Sequence, residues 1–269
     1  MPFFHTTSGI DLHYEILGQG QPLLLIHGWA ASAEVWHFQQ GLSSTHRLIM
    51  PDLRGHGLSA APDSGYSFVD FADDLVELVT VLRLENVILI GWSMGVQVAL
   101  QAYSRLRNCL SALVFVSGTP TFTAGDDYPH GLPAVATKGL ELLLKRDFHK
   151  ALYNFFRSMF IEGELEGDDK GSVVADELMV RLPARHAALE ALRTLADSDL
   201  RSLLSSVDLP VLLIHGSADT ICPASASCYM AAGLSAASLE LLEGAGHAPF
   251  LSQPQKFNEL LKRFMDSVT

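Results

Sequence analysis

The amino-acid sequence predicts an α/β fold, with a mostly parallel central sheet flanked by helices and a helical insertion. Short aliphatic runs alternate along the chain with segments of helical periodicity. The runs show little polar alternation, which is typical of parallel strands covered on both faces. With 269 residues, 48% of them hydrophobic, the chain can form one larger domain of this class.

Six aliphatic runs are the candidate strands of that sheet. They occupy residues 22–27, 47–51, 87–90, 112–117, 211–215 and 239–242. Residues 10–17 precede the first run and end at the turn Gly18-Gln19-Gly20, so we expect them to form an antiparallel edge strand. Between the runs, three segments have the periodicity of amphipathic helices: residues 68–82, 94–105 and 254–265.

The alternation of strands and helices breaks between about residues 119 and 185. This segment contains one helical pattern, 139–159, followed by a polar loop, 162–171. Long insertions at strand ends usually cover a binding site. We therefore assign residues 1–118 and 187–269 to the core and residues 119–186 to a lid over a pocket. The alternative is an extra helical pair that only enlarges the core.

Composition excludes several classes of protein. The chain has 18 basic and 30 acidic side chains, a net charge of −12, whereas nucleic-acid binding needs an excess of Lys and Arg. The longest uncharged stretches, 86–104 and 220–239, are too polar or too rich in small residues for lipid. The N-terminus lacks the basic start and apolar core of a signal peptide. We expect a cytoplasmic monomer that contacts neither nucleic acid nor membrane.

Cysteines and histidines give no sign of a metal site. Cys109, Cys222 and Cys228 lack metal or redox spacing, and no histidine pair has a pattern such as H-E-x-x-H. We interpret the cysteines as buried thiols in a reducing compartment. We expect neither a metal nor another cofactor.

The strongest motif is Gly91-Trp92-Ser93-Met94-Gly95. It follows the candidate strand 87–90 and opens a candidate helix, which is the context of a G-x-S-x-G nucleophile elbow. Small residues on either side let the turn close, so that the Ser93 hydroxyl projects from the sheet edge towards the pocket. The following helix directs its N-terminal amides at any anion formed there. The alternative is a structural glycine turn with an incidental serine.

A serine hydroxyl needs an imidazole to take its proton and a carboxylate to orient the imidazole. With such an elbow, the acid and then the histidine follow later strands. Asp219 lies just past the run 211–215, and His247 lies in a loop of small residues past the run 239–242. Asp208 precedes its strand, and Glu243 is too close to His247 in sequence. We therefore predict Ser93, Asp219 and His247 as the catalytic residues.

Two backbone amides should hold the oxyanion. Met94 follows the nucleophile, and Trp29 follows the run 22–27 in the loop His27-Gly28-Trp29. The Trp29 side chain would then line the pocket, although it could also be a packed core aromatic. His27 could fix the geometry of this loop by hydrogen bonding, while His56 lies in a turn and His215 on a strand.

The predicted lid is locally cationic. Between residues 138 and 157, five basic side chains against two acidic ones leave a charge of +3: Lys138, Lys145, Arg146, Lys150 and Arg157 against Glu141 and Asp147. A cationic strip near a pocket mouth can steer an acidic partner. The alternative is an ordinary solvated helix face.

Taken together, these motifs resemble the α/β-hydrolase fold over nearly the whole chain. The sequence is further similar to the family of biotin-pathway esterases that remove the methyl group from pimeloyl-acyl-carrier-protein methyl ester. The similarity lies in Leu25-Ile26-His27-Gly28-Trp29, Ala33-Glu34-Val35-Trp36, the elbow, Ser117-Gly118-Thr119-Pro120-Thr121-Phe122 with Asp127-Tyr128-Pro129, and His247-Ala248-Pro249-Phe250 with Ser252 and Pro254.

The resemblance implies a carboxylesterase that acts on a half ester bound to an acidic carrier protein. Substrate-binding positions would be Trp29, Ser93, Met94, Phe155, Phe156, Arg157, Ser158, Met159 and His247. Lys145, Arg146 and Lys150 would contact the carrier, and Lys150 stands where the family has an arginine. The chain departs from the family at Asn154, which replaces another basic position of that kind.

The sequence therefore predicts a serine carboxylesterase that hydrolyses the methyl ester of pimeloyl-acyl-carrier protein and also short-chain esters. Two alternatives remain open. One is another triad enzyme on this scaffold, a carbon–carbon bond hydrolase or a lyase. The other is a small-molecule receptor that kept the pocket. Serine at the elbow excludes an enzyme with an aspartate nucleophile.

Overall fold

A central sheet organises the computed structural model, which describes residues 2–165 and 170–268. Within these residues the sheet has eight strands in the order β1-β2-β4-β3-β5-β6-β7-β8. They are β1 Phe3–His5, β2 Asp11–Leu17, β3 Gln21–Ile26, β4 His46–Pro51, β5 Val87–Trp92, β6 Leu110–Val116, β7 Val211–Gly216 and β8 Ala237–Leu242. Strands β3 to β8 run parallel, and β2 pairs antiparallel with both β4 and β1, so the predicted, mostly parallel sheet is confirmed.

The N-terminal edge of the sheet differs from the prediction. Residues 10–17 do form an antiparallel strand, β2, which pairs with β4. However, β2 is not the edge, because β1 pairs outside it with Phe3 opposite His13. A strand of three residues is too short to show a pattern of alternating burial, which is why the sequence did not reveal β1.

Helices cover both faces of the sheet. They are α1 Phe68–Val81, α2 Met94–Leu106, α3 Ala134–Arg146, α4 Phe148–Ser158, α5 Lys170–Leu178, α6 Arg185–Asp197, α7 Ala224–Gly233, α8 Pro249–Ser252 and α9 Pro254–Val268, with 3₁₀ segments at Ala33–Ser44, Arg107–Cys109 and Arg201–Ser206. Every residue of β5 and β7 is buried, as continuous aliphatic strands require. None of the helices in the described ranges is long and apolar enough to cross a membrane.

The predicted lid lies between β6 and β7 and contains α3, α4, α5 and the start of α6. The prediction of one helix over residues 139–159 is wrong in one respect, because the structure has two helices there, α3 and α4. The chain is extended at Asp147, whose side chain caps α4 by accepting a hydrogen bond from the Lys150 amide. Residues 166–169 of the predicted polar loop lie outside the described residues, and α5 begins within that loop at Lys170. The boundaries of the lid and core stay predictions.

All three cysteines are free thiols, and their burial differs. Cys222 is buried, Cys109 is partly buried and Cys228 is exposed. The interpretation of all three as buried thiols is therefore wrong for Cys228, which lies on the outer side of α7. Burial raises the pKa of the Cys222 thiol well above its ordinary value.

Candidate active site

The elbow joins β5 to α2 in a strained turn. Ser93 has φ +54° and ψ −116°, a conformation that side-chain-bearing residues rarely adopt. Its amide donates to the Val116 carbonyl on β6 at 2.9 Å, which ties the turn to the sheet. Gly95 allows the close approach of helix and strand, because a Cβ there would stand 2.4 Å from the Ile26 carbonyl oxygen. The local structure thus holds the serine at the carboxyl end of the central strands.

Three side chains from separate loops meet at this point. His247 Nε2 lies 2.9 Å from Ser93 Oγ, and His247 Nδ1 lies 2.8 Å from Asp219 Oδ2. An ionised carboxylate only accepts hydrogen bonds, so Nδ1 carries the proton and Nε2 presents its lone pair to the serine hydroxyl. This is the tautomer in which an imidazole can take the hydroxyl proton.

The Asp219 carboxylate is fully buried and fully hydrogen-bonded. Its second oxygen accepts from the amides of Ile221 at 2.8 Å and Cys222 at 2.9 Å. Burial by itself opposes ionisation of Asp219, but the electrostatic interaction and hydrogen bond with His247 and the hydrogen bond of His215 outweigh it and lower the pKa of Asp219. The acid is therefore held as a carboxylate facing the imidazole.

His215 is a site residue that sequence reasoning missed. It is completely buried at the end of β7, with Nε2 3.1 Å from Asp219 Oδ2 and 2.7 Å from the Cys222 carbonyl oxygen. Both of these atoms are acceptors, so Nε2 carries a proton, and the Ser227 hydroxyl donates to Nδ1 across 2.6 Å. The available signal was a histidine inside a buried apolar strand, four residues before the predicted acid.

Trp92 connects the elbow to the histidine loop. Its indole Nε1 donates to the His247 carbonyl oxygen at 2.9 Å, and its ring packs edge-on against Phe250. The residue directly before the nucleophile therefore fixes the backbone of the proposed base. Trp92 belongs to the elbow motif on which the family resemblance rests, but the sequence predicted no contact for its side chain.

The loop after β3 lies directly against the nucleophile. A Cβ at Gly28 would stand 3.1 Å from Ser93 Cβ, which is tighter than an ordinary van der Waals contact, so a larger residue there would require the elbow side chains to shift by a few tenths of an ångström. The next residue, Trp29, is buried, and its indole donates to the Ala188 carbonyl of α6 at 2.9 Å. The assignment of the oxyanion to the amides of Trp29 and Met94 stays a prediction.

His27 holds this loop as the sequence indicated. Its Nε2 accepts from the Leu53 amide at 3.0 Å, and its Nδ1 donates to the Gly28 carbonyl at 2.8 Å. The neighbouring His56 lies with its ring centre 5.3 Å from that of His27. Burial, followed by the proximity of His27, lowers the pKa of His56 to about 3, and burial also lowers the pKa of His27. Neither ring competes with His247 as a base at the elbow.

The five lid residues predicted to bind substrate, residues 155–159, lie at the end of α4 and differ in burial. Phe155 packs edge-on against Trp29, with ring centres 4.8 Å apart, and Phe156 and Met159 are buried. Arg157 and Ser158 are exposed on the other side of the helix. The assignment of these residues to substrate binding stays a prediction, and Phe155 contacts the Trp29 ring directly.

The basic residues predicted to contact a carrier lie on α3 and α4. Arg146 and Lys150 flank a groove of about 190 Å³, together with Leu143 and Asn154. Lys145 forms an ion pair with Glu141 at 2.8 Å. In the part of the chain that the structure describes, no group of three or more His, Cys, Asp or Glu side chains could hold a metal ion.

Asp208, an acid that the sequence analysis rejected, lies away from the three side chains that meet at the elbow. Asp208 accepts hydrogen bonds from Tyr103 and Arg107 at the amino end of β7, the end of that strand opposite Asp219. Its pKa is lowered to about 2, mainly by the hydrogen bond from Arg107. This environment is that of a surface ion pair.

The chain belongs to the alpha/beta hydrolase family, whose model matches residues 23–260. It is 36% identical to the pimeloyl-[acyl-carrier protein] methyl ester esterase of Nitrosomonas europaea, over 92% of this chain and 96% of that protein. The enzyme of the same name from Aeromonas salmonicida is 35% identical, over 95% and 100%. A solved esterase from Exiguobacterium antarcticum superposes with a TM-score of 0.92 at 29% identity and covers 98% of both chains. By family and site, the chain is a carboxylic ester hydrolase.

Proposed function

We propose that this protein is a serine carboxylesterase that removes the methyl group from an acyl half ester presented on acyl-carrier protein. The observation that carries the proposal is the hydrogen-bonded relay from Ser93 through His247 to Asp219, with links of 2.9 and 2.8 Å. A hydroxyl, a correctly tautomerised imidazole and a buried carboxylate are the parts that acyl transfer through serine requires.

In the first half-reaction, Ser93 attacks the ester carbonyl while His247 takes the hydroxyl proton. Asp219 holds the imidazole in place and stabilises the imidazolium that forms. The amides of Trp29 and Met94 hold the tetrahedral oxyanion, and one such donor is typically worth about 3–4 kcal/mol of barrier. His247 then returns the proton to the departing methoxide, methanol leaves and an acyl-serine remains.

In the second half-reaction, water attacks the acyl-serine. His247 takes a proton from this water, and the same two amides hold the second tetrahedral oxyanion. Collapse of that intermediate returns the proton to Ser93 Oγ and releases the carboxylic acid. The side chains and amides named here, together with one water molecule, account for both half-reactions.

The substrate class is supported by the relatives and by the lid. Two relatives covering nearly the whole chain are named pimeloyl-[acyl-carrier protein] methyl ester esterases. The Trp29 and Phe155 rings pack against each other next to Gly28, which contacts the elbow, and we take them as the apolar wall for a methylene chain. Arg146 and Lys150 flank a surface groove, where they can attract the acidic surface of a carrier protein.

The first experiment measures methanol release from methyl pimeloyl-acyl-carrier protein. We expect steady turnover by the native chain and a loss of about 10⁴-fold or more in kcat for Ser93→Ala, with unchanged thermal unfolding. Retained turnover in Ser93→Ala would overturn the serine mechanism. Tight ligand binding without turnover by the native chain would indicate a receptor, and neither binding nor turnover would favour a different bond-cleaving reaction.

The second experiment tests the carrier. Reversing both charges with Arg146→Glu and Lys150→Glu should raise KM for the carrier-bound ester about 10-fold, because rim charges govern encounter with a charged partner. Hydrolysis of p-nitrophenyl acetate should be unchanged. The matched control reverses two exposed charges on α9, Lys256→Glu and Lys262→Glu. An equal effect of the two double variants would contradict a carrier surface on the lid.

A further inference from the structure

We propose that the lid turn formed by residues 159–164 positions His247 through two groups, the Met159 carbonyl and the Glu164 carboxylate, and that Glu164 is the central one. This inference rests on the proposed serine mechanism. It assigns to the lid an effect on proton transfer at Ser93, in addition to any contact with substrate. Glu164 itself is a positioning residue, since it acts on the reacting atoms through the loop that carries His247.

The lid turn binds two backbone amides of the histidine loop, those of Gly246 and His247. The His247 amide donates to the Met159 carbonyl at 2.7 Å, and the Gly246 amide donates to Glu164 Oε1 at 2.8 Å. Two successive amides are thus bound by one segment of the lid. Hydrogen bonds to an ionised carboxylate are stronger than those between neutral groups, so the Gly246 contact anchors the loop firmly.

The same carboxylate also folds the lid turn. Glu164 Oε2 accepts from the Ile161 amide at 2.8 Å, while the Glu164 amide donates to the Ile161 carbonyl at 3.1 Å. One oxygen of Glu164 therefore closes the turn, and the other binds the histidine loop. A change at this side chain loosens both ends of the connection together.

The packing leaves no space between these two segments. A Cβ at Gly246 would stand 2.3 Å from the Met159 carbonyl oxygen, which is far inside van der Waals contact. Glycine at this position lets the lid backbone pass directly over the histidine loop. The contact is therefore part of the packed structure near the triad, on backbone atoms one peptide from the imidazole.

The other anchors of the histidine loop come from different parts of the core. The Ala245 carbonyl accepts from the Ala218 amide at 3.0 Å, on the side of the acid loop. The His247 carbonyl accepts from Trp92 Nε1 at 2.9 Å, on the side of the elbow. The lid turn holds the Gly246 and His247 amides. Loss of these contacts would let the His247 imidazole change orientation, while the His247 carbonyl stays bound to Trp92.

The test compares Glu164→Gln and Glu164→Ala with the native chain. An amide side chain keeps one acceptor oxygen and alanine keeps none, so kcat should fall about 10-fold in Glu164→Gln and about 100-fold in Glu164→Ala. KM for the carrier-bound methyl ester should change less than kcat. The phosphonylation of Ser93 by a small fluorophosphonate should slow by the same factors, since this reagent needs the activated hydroxyl and does not need the lid.

The matched control is Glu162→Gln, which removes the same charge from an exposed position two residues away. It should leave kcat and the phosphonylation rate unchanged. Thermal unfolding of every variant separates loss of the fold from loss of activity. If Glu164→Ala does not fold, the conservative variant Glu164→Gln still tests the inference.

A normal phosphonylation rate in folded Glu164→Gln and Glu164→Ala, or an increase in KM alone, would overturn the inference and leave Glu164 with a structural role in the lid. The failure of the proposed function looks different. In that case the native chain itself would not be phosphonylated at Ser93, and Ser93→Ala would retain turnover.

Discussion

Among the described residues, two buried histidine–aspartate pairs are joined through the histidine Nδ1 atom, and only one of them also reaches a serine hydroxyl. His247 and Asp219 are joined at 2.8 Å between Nδ1 and Oδ2, and so are His13 and Asp52. Both aspartates lie just past the carboxyl end of a parallel strand, β7 for Asp219 and β4 for Asp52. Both accept further hydrogen bonds from backbone amides. The pairs are thus nearly equivalent in local geometry.

They differ at the far nitrogen of the histidine. His247 Nε2 faces Ser93 Oγ, whereas among the described residues His13 Nε2 has no hydrogen-bond partner. Asp52 instead binds the amides of Ala33 at 2.7 Å and Leu58 at 2.9 Å, which joins β2 to two loops. A buried pair of this kind can therefore relay a proton only when a third group lies at the second ring nitrogen, and otherwise it joins the segments around it.

The sharpest separation of the two pairs comes from replacing each aspartate with asparagine. Asp219→Asn should lower kcat about 10⁴-fold, because the amide no longer holds the required imidazole tautomer. Asp52→Asn should leave kcat within about threefold and lower the free energy of unfolding by about 3 kcal/mol, since it breaks a buried pair with two further donors. Esterase kinetics and urea unfolding measure the two effects.

The control for this comparison is to measure stability in the variant expected to lose activity, and activity in the variant expected to lose stability. Asp219→Asn should still unfold cooperatively, and Asp52→Asn should still react with a fluorophosphonate at Ser93. If Asp52→Asn lost as much kcat as Asp219→Asn while staying folded, the second pair would belong to the catalytic machinery and the comparison would fail.

Two further buried histidines extend the comparison, since within the described part of the chain no carboxylate is hydrogen-bonded to the ring of His27 or His56. The pKa of His56 falls from 6.5 to about 3 through burial, so the unfolded chain binds its proton at pH values where the folded chain does not. The free energy of unfolding should therefore decrease on acidification from about pH 6.5 to pH 3, by up to about 1.4 kcal/mol per pH unit for this group.

Urea unfolding between pH 7 and pH 4 measures this slope. His56→Gln should flatten it by about the contribution of one histidine, and the lowered pKa of His27 should leave part of it in place. His5→Gln is the matched control, because His5 is exposed in an ion pair with Asp11. An identical slope in native protein and His56→Gln would show that burial does not keep His56 neutral.

The sheet could be predicted because its strands are long, aliphatic and buried on both faces. The six predicted parallel strands are present, with ends displaced by at most two residues, as β5 and β8 illustrate. Short or interrupted elements could not be predicted. The three residues of β1 have no period, and a single extended residue at Asp147 divides a continuous helical pattern into α3 and α4.

The candidate site was predictable to the extent that chain order and strand ends determine it. Ser93, Asp219 and His247 each follow an apolar run, and their side chains meet in the structure. Trp92 and Glu164 could not be assigned, because they act on the backbone of His247 and Gly246 from distant segments. Contacts to backbone groups leave no residue-type pattern in the sequence.

The smallest expected effect tests whether His215 tunes the catalytic pair or only packs against it. His215→Phe removes the donor 3.1 Å from Asp219 Oδ2, so the pKa of that carboxylate should rise and the carboxylate should hold the imidazolium more strongly. We expect the acid limb of kcat/KM to move to higher pH by about half a unit to one unit. We also expect kcat to fall about 10-fold, because the carboxylate loses a contact that fixes its orientation towards the imidazole.

His215→Gln keeps an N–H donor at nearly the position of Nε2 and should restore both the rate and the pH profile. Ser227→Ala removes the hydroxyl that binds the other ring nitrogen, leaves Nε2 in place and should leave the acid limb where it is. A His215→Phe enzyme that stays folded, turns over more slowly and keeps the native pH profile would show that His215 contributes packing alone. The acid would then owe its ionisation to His247 and to the amides of Ile221 and Cys222.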